Sequence, residues 1–380
     1  MNSSLGQLIL TGVPGKELDS ETARLFERVR PGGFILFGRN IESASQLRKL
    51  IEDLRNVSPD PIITIDQEGG RVSRLRLIGN EPPNAQQLRD KGDIDLIRRH
   101  GDITGRLLRL FGFNLDLCPV LDISFDDEAD NSLRGRCYGR DVAEVVRNAS
   151  AFNDGLRTVG VASCGKHFPG YSAATVDAHH DLPRIDRTRE ELDREELAVF
   201  RAFTGEDGSP QPSHHSEKRP YLVDSMMICH AWYPCFEANK LPASLSKKVI
   251  TDLLRQEMGF IGLIMTDDLD MGAILNEYSL EETIGLTMAA GNDLAMVCHR
   301  VGEIENVHHI LNQLPRSDLD RALNSVAEFK KKLAPPEPFS ESAFRKIDDE
   351  IWNLRVAVLG PEAAAQRSPE DGKRSPVEIY

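Results

Sequence analysis

The sequence predicts a single (β/α)8 barrel, and three observations lead to this prediction. Short apolar segments alternate along the chain with segments of helical periodicity. The apolar segments carry few polar residues on either face, which is typical of parallel strands covered by helices on both sides. About eight such strands within roughly 300 residues fit a closed barrel better than an open, doubly wound sheet. No Gly-x-Gly-x-x-Gly follows the first strand, which weakens the dinucleotide-binding alternative.

The individual elements follow from where each apolar or amphipathic segment begins and ends. We predict strands over residues 7–12, 33–37, 62–65, 115–123, 161–166, 225–229, 262–266 and 293–298. Helices are predicted over residues 45–57, 96–111, 143–159, 189–203, 246–258 and 281–290.

Two segments have compositions that do not fit the barrel. Residues 204–221 are rich in Gly, Pro and Ser, which indicates a flexible insertion between a helix and a strand. His214 and His215 in this insertion could bind a metal, but a solvated loop is the preferred interpretation. The end of the chain has few apolar residues and much Pro, Glu, Ser and Arg, which predicts a disordered or loosely draped tail. We therefore assign residues 1–355 to one barrel and residues 356–380 to a C-terminal tail.

Charge and cysteine usage narrow the class of protein. The chain of 380 residues has a net charge of -14, which argues against nucleic acid as the main partner because phosphate binding needs a basic surface. No segment approaches the roughly 20 apolar residues that cross a bilayer, and the N-terminal residues lack the basic region of a signal peptide. The six cysteines show no Cys-x-x-Cys spacing and mostly lie in or beside apolar segments, which indicates buried, reduced thiols. A cytoplasmic enzyme without a membrane partner is the expectation.

Polar residues gather where the predicted strands end. In a parallel α/β barrel, the active-site groups come from the C-terminal ends of the strands and the loops that follow them. Four such clusters on separate strands therefore predict one shared site. The clusters are Asp66, Gln67 and Glu68; Lys166 and His167; His230; and Asp267 and Asp268.

The segment IMTDDLDMGAI places Asp267 at the end of a buried strand. A carboxylate on a rigid strand is well placed to act as a nucleophile or to stabilise a positive charge. The alternative is that Asp267 or Asp268 caps the next helix, as aspartate does well. Because Asp268 and Asp270 are also available for capping, we favour a functional role for Asp267.

The segment TIDQEGGRVSRLR places Asp66 just past another apolar strand. Gly69 and Gly70 permit a tight turn with close approach of the backbone to a ligand. Arg71 and Arg74 follow, and an aspartate with nearby arginines is typical of a site that grips a polyol. An ion pair within the turn would explain the same residues equally well.

The loop KHFPGYSAATVDAHHDLP, residues 166–183, concentrates titratable groups. Pro169 and Gly170 break both helical and strand periodicity. Asp177 and His179 are two residues apart, so in extended backbone they share a face. The aspartate could then accept one ring N–H and leave the other ring nitrogen to transfer a proton near neutral pH.

Two other interpretations of this loop remain open at this stage. A zinc site is the main one, since His179, His180 and Asp181 are plausible ligands. Neither a His-Glu-x-x-His motif nor a Cys/His spacing supports it. A purely structural loop is the other.

A resemblance to a known family joins these segments. The motifs ILFGRN, IDQEGGRVSRL, KHFPG, TVDAHH, a Cys-His pair after a strand and TDDLDMGAI occur in this order. As a set they resemble the glycoside hydrolase family 3 β-N-acetylglucosaminidases, which include single-domain enzymes of bacterial peptidoglycan recycling. The motifs extend over residues 5–333, and KHFPG followed by Asp-x-His and by Thr-Asp-Asp is a highly specific combination.

The resemblance implies a catalytic (β/α)8 barrel that removes terminal β-linked N-acetylglucosamine (GlcNAc) with retention, through a covalent glycosyl-enzyme. Asp267 matches the nucleophile, and His179, held by Asp177, matches an acid/base on a mobile loop. The expected partner is a small carbohydrate, GlcNAc–anhydroMurNAc or a muropeptide, with no cofactor and no metal; the oligomeric state is not predicted. Sugar binding is implied for Asp66, Arg74, Arg136, Lys166 and His167, and His230 is expected to line the pocket.

A second carboxylate is the usual acid/base of a glycosidase, and local logic offers Glu68 for it. A histidine in that role is neutral when deprotonated, so it would repel neither an anionic nucleophile nor phosphate. A phosphorylase with the same site is therefore an alternative, as are a non-catalytic sugar-binding barrel and a metal-dependent hydrolase. The sequence departs from the family at Tyr171 and Ser172, where the family often has His-Gly.

Overall fold

The computed structural model describes residues 5–128, 132–174, 177–205 and 222–368. Within these residues, eight parallel strands form one sheet and two short strands form a separate antiparallel hairpin. The strands are β1 (Ile9–Gly12), β2 (Gly33–Leu36), β3 (Ile62–Ile65), β4 (Gln67–Gly69), β5 (Val72–Ser73), β6 (Leu115–Asp116), β7 (Ala162–Phe168), β8 (Ser225–Ile228), β9 (Leu263–Thr266) and β10 (Ala295–Val297).

The large sheet has the order β10-β1-β2-β3-β6-β7-β8-β9 and closes on itself. Met265 of β9 makes a parallel bridge to Leu294, directly before β10, and the backbone N–H of Thr266 donates to the Leu294 carbonyl at 3.3 Å. The backbone groups of both sheet edges are thereby largely paired, as barrel closure requires. The predicted (β/α)8 barrel is confirmed.

Helices surround the barrel. They are α1 (Ser20–Val29), α2 (Ala44–Val57), α3 (Ala85–Lys91), α4 (Ile94–Phe111), α5 (Val142–Thr158), α6 (Arg189–Arg194), α7 (Glu196–Thr204), α8 (Gly272–Leu275), α9 (Leu280–Ala290), α10 (Ile304–Leu311), α11 (Arg316–Lys330), α12 (Glu341–Leu359) and α13 (Pro361–Ala364). Residues Lys248–Glu257 form a further helix with i→i+5 hydrogen bonds, and 3₁₀ turns cover Leu5–Leu8, Gly38–Asn40, Arg74–Leu77, Ala243–Leu245 and Val301–Glu303.

Sequence and packing together explain the layers. The helix α2 begins at a capping box, in which Ser43 Oγ accepts from Gln46 N and the Gln46 side chain accepts from Ser43 N. Its buried residues Leu47, Leu50 and Leu54 recur at helical spacing and face the barrel. The residues of β1, β2 and β3 are all buried, as expected of strands covered on both sides. Among the described residues, no helix combines the length and the apolar composition that a membrane crossing requires.

Several predicted elements differ in extent. The strand predicted over 115–123 is ordered as β6 for only two residues, and then Val120 makes an isolated bridge to Lys166. Pro119 interrupts the ladder there because it has no N–H to donate. The helix predicted over 189–203 is two helices that meet at Glu195, whose ψ of -88° departs from helical geometry.

The C-terminal region is folded beyond the predicted boundary. Helix α12 packs on α4 and runs through the division placed between residues 355 and 356. Arg355 Nη1 donates to Glu81 Oε1 at 2.9 Å, and Ser368 Oγ donates to the same carboxylate at 2.7 Å. Residues 369–380 and most of the predicted insertion, with His214 and His215, lie outside the described residues.

Candidate active site

A cavity opens at the C-terminal ends of the barrel strands, where the sequence predicts the site. It brings together seven of the nine residues predicted to act on a substrate. These are Asp66, Arg136, Lys166, His167, Asp177, His179 and Asp267.

The base of the cavity is a cluster of paired charges. Lys166 Nζ lies 2.7 Å from Asp66 Oδ1 and 2.6 Å from Glu68 Oε1. Arg136 holds Glu68 through two hydrogen bonds of 2.8 Å, donated by Nε and Nη2. Burial alone would raise the pKa of Asp66, but the charges of Lys166 and Arg74 outweigh it and hold that pKa below its ordinary value. The cluster is therefore ionised at neutral pH.

Glu68 does not have the surroundings of an acid/base group. Both of its oxygens accept from Arg136, and one also faces Lys166. Burial opposes its ionisation, yet these two cations lower the pKa of Glu68 well below its usual range. Its place in the structure is to fix the two cations that line the cavity.

Arg74 and His230 lie behind the cavity wall. Arg74 Nη2 is 3.5 Å from Asp66 Oδ2, and its guanidinium lies 5.9 Å from the ring centre of Phe37. His230 is fully buried, with Nδ1 2.7 Å from Ser244 Oγ and Nε2 2.8 Å from the Asp268 carbonyl. His230 was expected to line the pocket, but it is not among the described residues that line the cavity. Arg74 contacts the cavity residue Asp66, and His230 contacts the main chain of the cavity residue Asp268.

Gly69 and Gly70 form a hairpin turn, with φ of 113° and 54°. A Cβ at Gly69 would lie 2.3 Å from the Pro83 carbonyl oxygen, so the close approach is to the chain's own backbone rather than to the cavity.

A neutral carboxyl group lies beneath the charged cluster. Asp116 in β6 is fully buried; its Oδ1 accepts from Gln67 N at 3.1 Å, and its Oδ2 has no hydrogen-bond partner among the described residues. Burial raises the pKa of Asp116 to about 8, and the charges of Asp66 and Glu68 act in the same direction. Below that pH the folded protein keeps this group protonated.

We therefore expect Asp116→Asn to change how stability depends on pH. Between about pH 4 and pH 8 the folded state holds a proton that the unfolded state has released, so rising pH costs the wild type about 1.4 kcal/mol of unfolding free energy per pH unit from this group. The variant lacks that slope, so its stability relative to the wild type should rise with pH. Urea unfolding at pH 5, 6 and 7 measures this, with the exposed Asp95→Asn as a control for the exchange itself. A constant difference between Asp116→Asn and the wild type would contradict the protonated state.

His167 is oriented by an aspartate that the sequence analysis missed. Asp122 Oδ2 lies 2.7 Å from His167 Nδ1 and also accepts from the backbone N–H of His167 at 3.1 Å. A carboxylate can only accept from the ring, so Nδ1 carries the hydrogen that faces Asp122, while Nε2 lies 3.5 Å from Arg136 Nη2. The strand-end rule could have found Asp122, because it follows β6 after a short extended segment.

The predicted pair of Asp177 and His179 forms a hydrogen bond. Asp177 Oδ1 lies 2.6 Å from His179 Nδ1 and accepts from the backbone N–H of His179 at 3.0 Å. Burial raises the pKa of Asp177, but the hydrogen bond and charge of His179 outweigh it and lower that pKa overall. A carboxylate on Nδ1 leaves Nε2 as the ring nitrogen that exchanges a proton.

The neighbouring His180 and Asp181 do not join His179 as metal ligands would. His180 is exposed, and Asp181 Oδ1 accepts from the backbone N–H of Leu182 at 2.8 Å. In the part of the chain that the structure describes, no three His, Cys, Asp or Glu side chains are grouped as a metal site.

The loop that carries His179 is attached to the start of helix α8 by main-chain hydrogen bonds. The Ala178 carbonyl accepts from Ala273 N at 3.0 Å, and the His179 carbonyl accepts from Gly272 N at 3.0 Å. Since α8 follows β9 and Asp267 after a short turn, these bonds fix the histidine loop relative to the strand-end carboxylate. A Cβ at Gly272 would lie 2.7 Å from the His179 carbonyl oxygen and 2.6 Å from that of His180.

Replacing Gly272 by alanine should therefore displace the loop. We expect turnover to fall by about 10²-fold, the order of loss that follows a shift of a catalytic group by about 1 Å. Steady-state kinetics measures the loss, and Gly302→Ala is the control because a Cβ there meets nothing within 4 Å. Equal activities of the two variants would show that the loop does not depend on this contact.

Asp267 lies directly after β9 and does not cap the next helix. Its backbone N–H donates to the Ile228 carbonyl at 2.9 Å, and its Oδ1 accepts from Asp268 N at 2.8 Å. The residue before α8 is Met271, which makes no side-chain cap. Asp268 and Asp270 instead bind the backbone after β10, so the capping alternative fails. Asp268 Oδ1 accepts from Cys298 N, and Asp270 Oδ2 accepts from the N–H groups of His299 and Arg300.

His299 also lines the cavity and was not predicted. Arg39 Nη1 lies 3.0 Å from its Nδ1, and its Nε2 lies 3.2 Å from Asp268 Oδ2. Arginine can only donate, so Nδ1 accepts and Nε2 carries the hydrogen that faces Asp268. His299 thus links Arg39 to Asp268, the residue that follows Asp267.

Several known proteins are similar to this chain in sequence and in fold. The sequence profile described as Glycosyl hydrolase family 3 N terminal domain matches residues 1–329. The Beta-hexosaminidase of Vibrio cholerae serotype O1 is 32% identical over 350 residues, which are 91% of this chain and 95% of that protein. The Beta-hexosaminidase of Pseudomonas aeruginosa is 31% identical over 83% of this chain and 90% of that protein. The structure of a glycoside hydrolase family 3 beta-N-acetylglucosaminidase from Paenibacillus sp. superposes with a TM-score of 0.79 at 30% identity, covering 93% of this chain and 68% of that one.

Proposed function

Since the chain belongs to glycosyl hydrolase family 3 and is a glycoside hydrolase of the β-N-acetylhexosaminidase type, we propose that it removes terminal β-linked GlcNAc with retention of configuration. The observation that carries this proposal is that Asp267 and the hydrogen-bonded pair of Asp177 and His179 line the same cavity. A retaining glycosidase needs a nucleophile and an acid/base group, and these residues supply both.

The charged base of the cavity binds the sugar in this proposal. Asp66 accepts hydrogen bonds from sugar hydroxyls, while Lys166 and Arg136 donate to them. His167 meets the sugar through Nε2, because Nδ1 is bound to Asp122. All of these side chains are already held by partners within the protein, so little order is lost when the sugar binds.

In the first half-reaction, the Asp267 carboxylate attacks the anomeric carbon. His179, protonated on both ring nitrogens, gives its Nε2 proton to the departing glycosidic oxygen. The bond from the anomeric carbon to that oxygen breaks as an ester bond to Asp267 forms. Asp177 stabilises the imidazolium before transfer and keeps the ring oriented afterwards.

In the second half-reaction, neutral His179 takes a proton from water. The water oxygen bonds to the anomeric carbon, the ester breaks, and the Asp267 carboxylate is restored. Two inversions at one carbon give net retention. One histidine therefore serves as acid in the first step and as base in the second.

We propose an exo-acting enzyme on peptidoglycan-derived GlcNAc–anhydroMurNAc or muropeptides. The exo action is supported by the position of the cavity at the strand ends, where barrel side chains such as Ile35, Met227 and Met296 line it beside the charged cluster. The substrate class is supported by the motif set, which resembles single-domain enzymes of peptidoglycan recycling. We place the protein in the cytoplasm, since all six cysteines are free and five of them are buried, in keeping with a reducing compartment.

The test is turnover of aryl β-GlcNAc, β-GalNAc and β-glucoside substrates, with and without phosphate. We expect hydrolysis that is fastest for β-GlcNAc, unaffected by a chelator, and with β-GlcNAc as the first product seen by NMR. GlcNAc-1-phosphate formed from added phosphate would make the protein a phosphorylase. No turnover of any of these substrates would leave a sugar-binding barrel.

A further inference from the structure

Tyr171 connects two parts of the site that the mechanism keeps separate. Its backbone N–H donates to Asp122 Oδ1 at 2.7 Å, and the other oxygen of that carboxylate orients His167. Its side chain is buried, lines the cavity, and places its hydroxyl oxygen 2.9 Å from Ala178 N, which donates to it. The tyrosine therefore spans from the sugar-binding histidine to the loop of the proton-transfer pair.

The Ala178 amide is the peptide group between Asp177 and Ala178. The Tyr171 hydroxyl accepts from the N–H of Ala178 at 2.9 Å, and Ala273 N donates at 3.0 Å to the Ala178 carbonyl, which belongs to the next peptide group. The N–H and the carbonyl of Ala178, which lies between Asp177 and His179, are thus both held by groups from other parts of the fold. With the N–H and the carbonyl of Ala178 both fixed, the positions open to the Asp177 carboxylate are restricted. The His179 ring, which Asp177 orients, is restricted in the same way.

We propose that Tyr171 is a positioning residue for acid/base catalysis, whose hydroxyl sets the orientation of the Asp177–His179 pair over Asp267. This inference rests on the proposed function, because it assigns a role relative to proton transfer by His179. Tyr171 and Ser172 are the positions at which the sequence departs from the family pattern. Ser172 is also hydrogen-bonded to a distant segment, since its Oγ accepts from Ile123 N at 2.9 Å.

A role limited to packing is the competing explanation, because the Tyr171 ring also lies 6.1 Å from the His167 ring, centre to centre. Phenylalanine separates the two, since it keeps the ring and removes only the hydroxyl. The chain offers a matched control in Tyr233. That side chain is equally buried, and its hydroxyl donates to the Gly170 carbonyl at 2.6 Å, at the other end of the same loop.

The experiment compares Tyr171→Phe and Tyr233→Phe on aryl β-GlcNAc substrates whose leaving groups have low and high pKa. A poor leaving group needs the proton from His179, and a good one does not. For Tyr171→Phe we expect kcat/KM to fall about 10-fold with the poor leaving group and less than about 3-fold with the good one. For Tyr233→Phe we expect equal changes on both substrates.

Equal changes on both substrates in Tyr171→Phe, or no change, would overturn the proposal. His179→Ala is measured in parallel: if its activity on the poor leaving group is unchanged, the proposed function has failed, whereas a selective loss in His179→Ala without one in Tyr171→Phe refutes the tyrosine's role alone. Thermal unfolding verifies that each variant is folded. Should Tyr171→Phe not fold, Tyr171→Leu takes its place, because it also removes the hydroxyl that accepts from Ala178 N, and the same comparison of leaving groups applies.

Discussion

Asp267→Ala should abolish formation of the glycosyl-enzyme and lower turnover by at least about 10⁴-fold. The methyl group cannot form a bond to the anomeric carbon, and the cavity loses the negative charge that stabilises a positively charged transition state. The residues proposed to bind the sugar stay in place, since Asp66, Lys166 and Glu68 hold one another without Asp267. Binding of GlcNAc should therefore persist while chemistry stops.

Rapid acid quench followed by mass spectrometry measures the intermediate. With an activated β-GlcNAc substrate, the wild type should gain the mass of one sugar residue, located on the peptide that contains Asp267. Asp268→Asn is the matched control, because Asp268 lies in the same loop and keeps an acceptor for Cys298 N after the exchange. A sugar adduct on another residue, or one that persists in Asp267→Ala, would refute the assignment of the nucleophile.

His179→Ala should slow both half-reactions, by about 10² to 10⁴-fold for substrates with poor leaving groups. The first step loses its proton donor, and the second loses the base that activates water. A substrate with a good leaving group should still form the intermediate, which then accumulates because its hydrolysis is slow. Added azide should release it as the glycosyl azide, since that nucleophile needs no base.

The adjacent His180→Ala is the control for His179, because His180 is exposed on the same loop and takes no part in the pair. It should retain nearly full activity on both kinds of substrate. Near-wild-type activity of His179→Ala on a poor leaving group would show that another group transfers the proton.

The rule that polar residues follow barrel strands was sufficient to locate much of this site. It identified Asp66, Lys166, His167 and Asp267, which all line one cavity. It fails for Asp122, because the apolar pattern predicts one strand over residues 115–123 whereas β6 ends at Asp116, so Asp122 does not stand at the end of a predicted strand. The rule states where a side chain lies along the sheet, but it says nothing about which partner the side chain contacts.

Contacts between distant segments were beyond the sequence for the same reason. Glu68 sits at a strand end and still has no proton to transfer, because Arg136 and Lys166 occupy its oxygens. The attachment of the histidine loop to α8 involves backbone groups of Ala178 and Ala273, and main-chain atoms leave no trace in residue type. Gly272 is the one signal of that contact, and it can be interpreted only once the carbonyls near it are known.

That attachment has a consequence for how sequences of this kind can diverge. Hydrogen bonds from Gly272 N and Ala273 N to the loop carbonyls are made by main-chain atoms, so they depend on few side chains beyond the absence of one at Gly272. Mutational drift and laboratory diversification are therefore free to alter the outer side chains of α8, such as the exposed Leu275, without removing these main-chain hydrogen bonds. The proton-transfer machinery would be inherited unchanged through such variation, with the absence of a side chain at position 272 as its main local requirement.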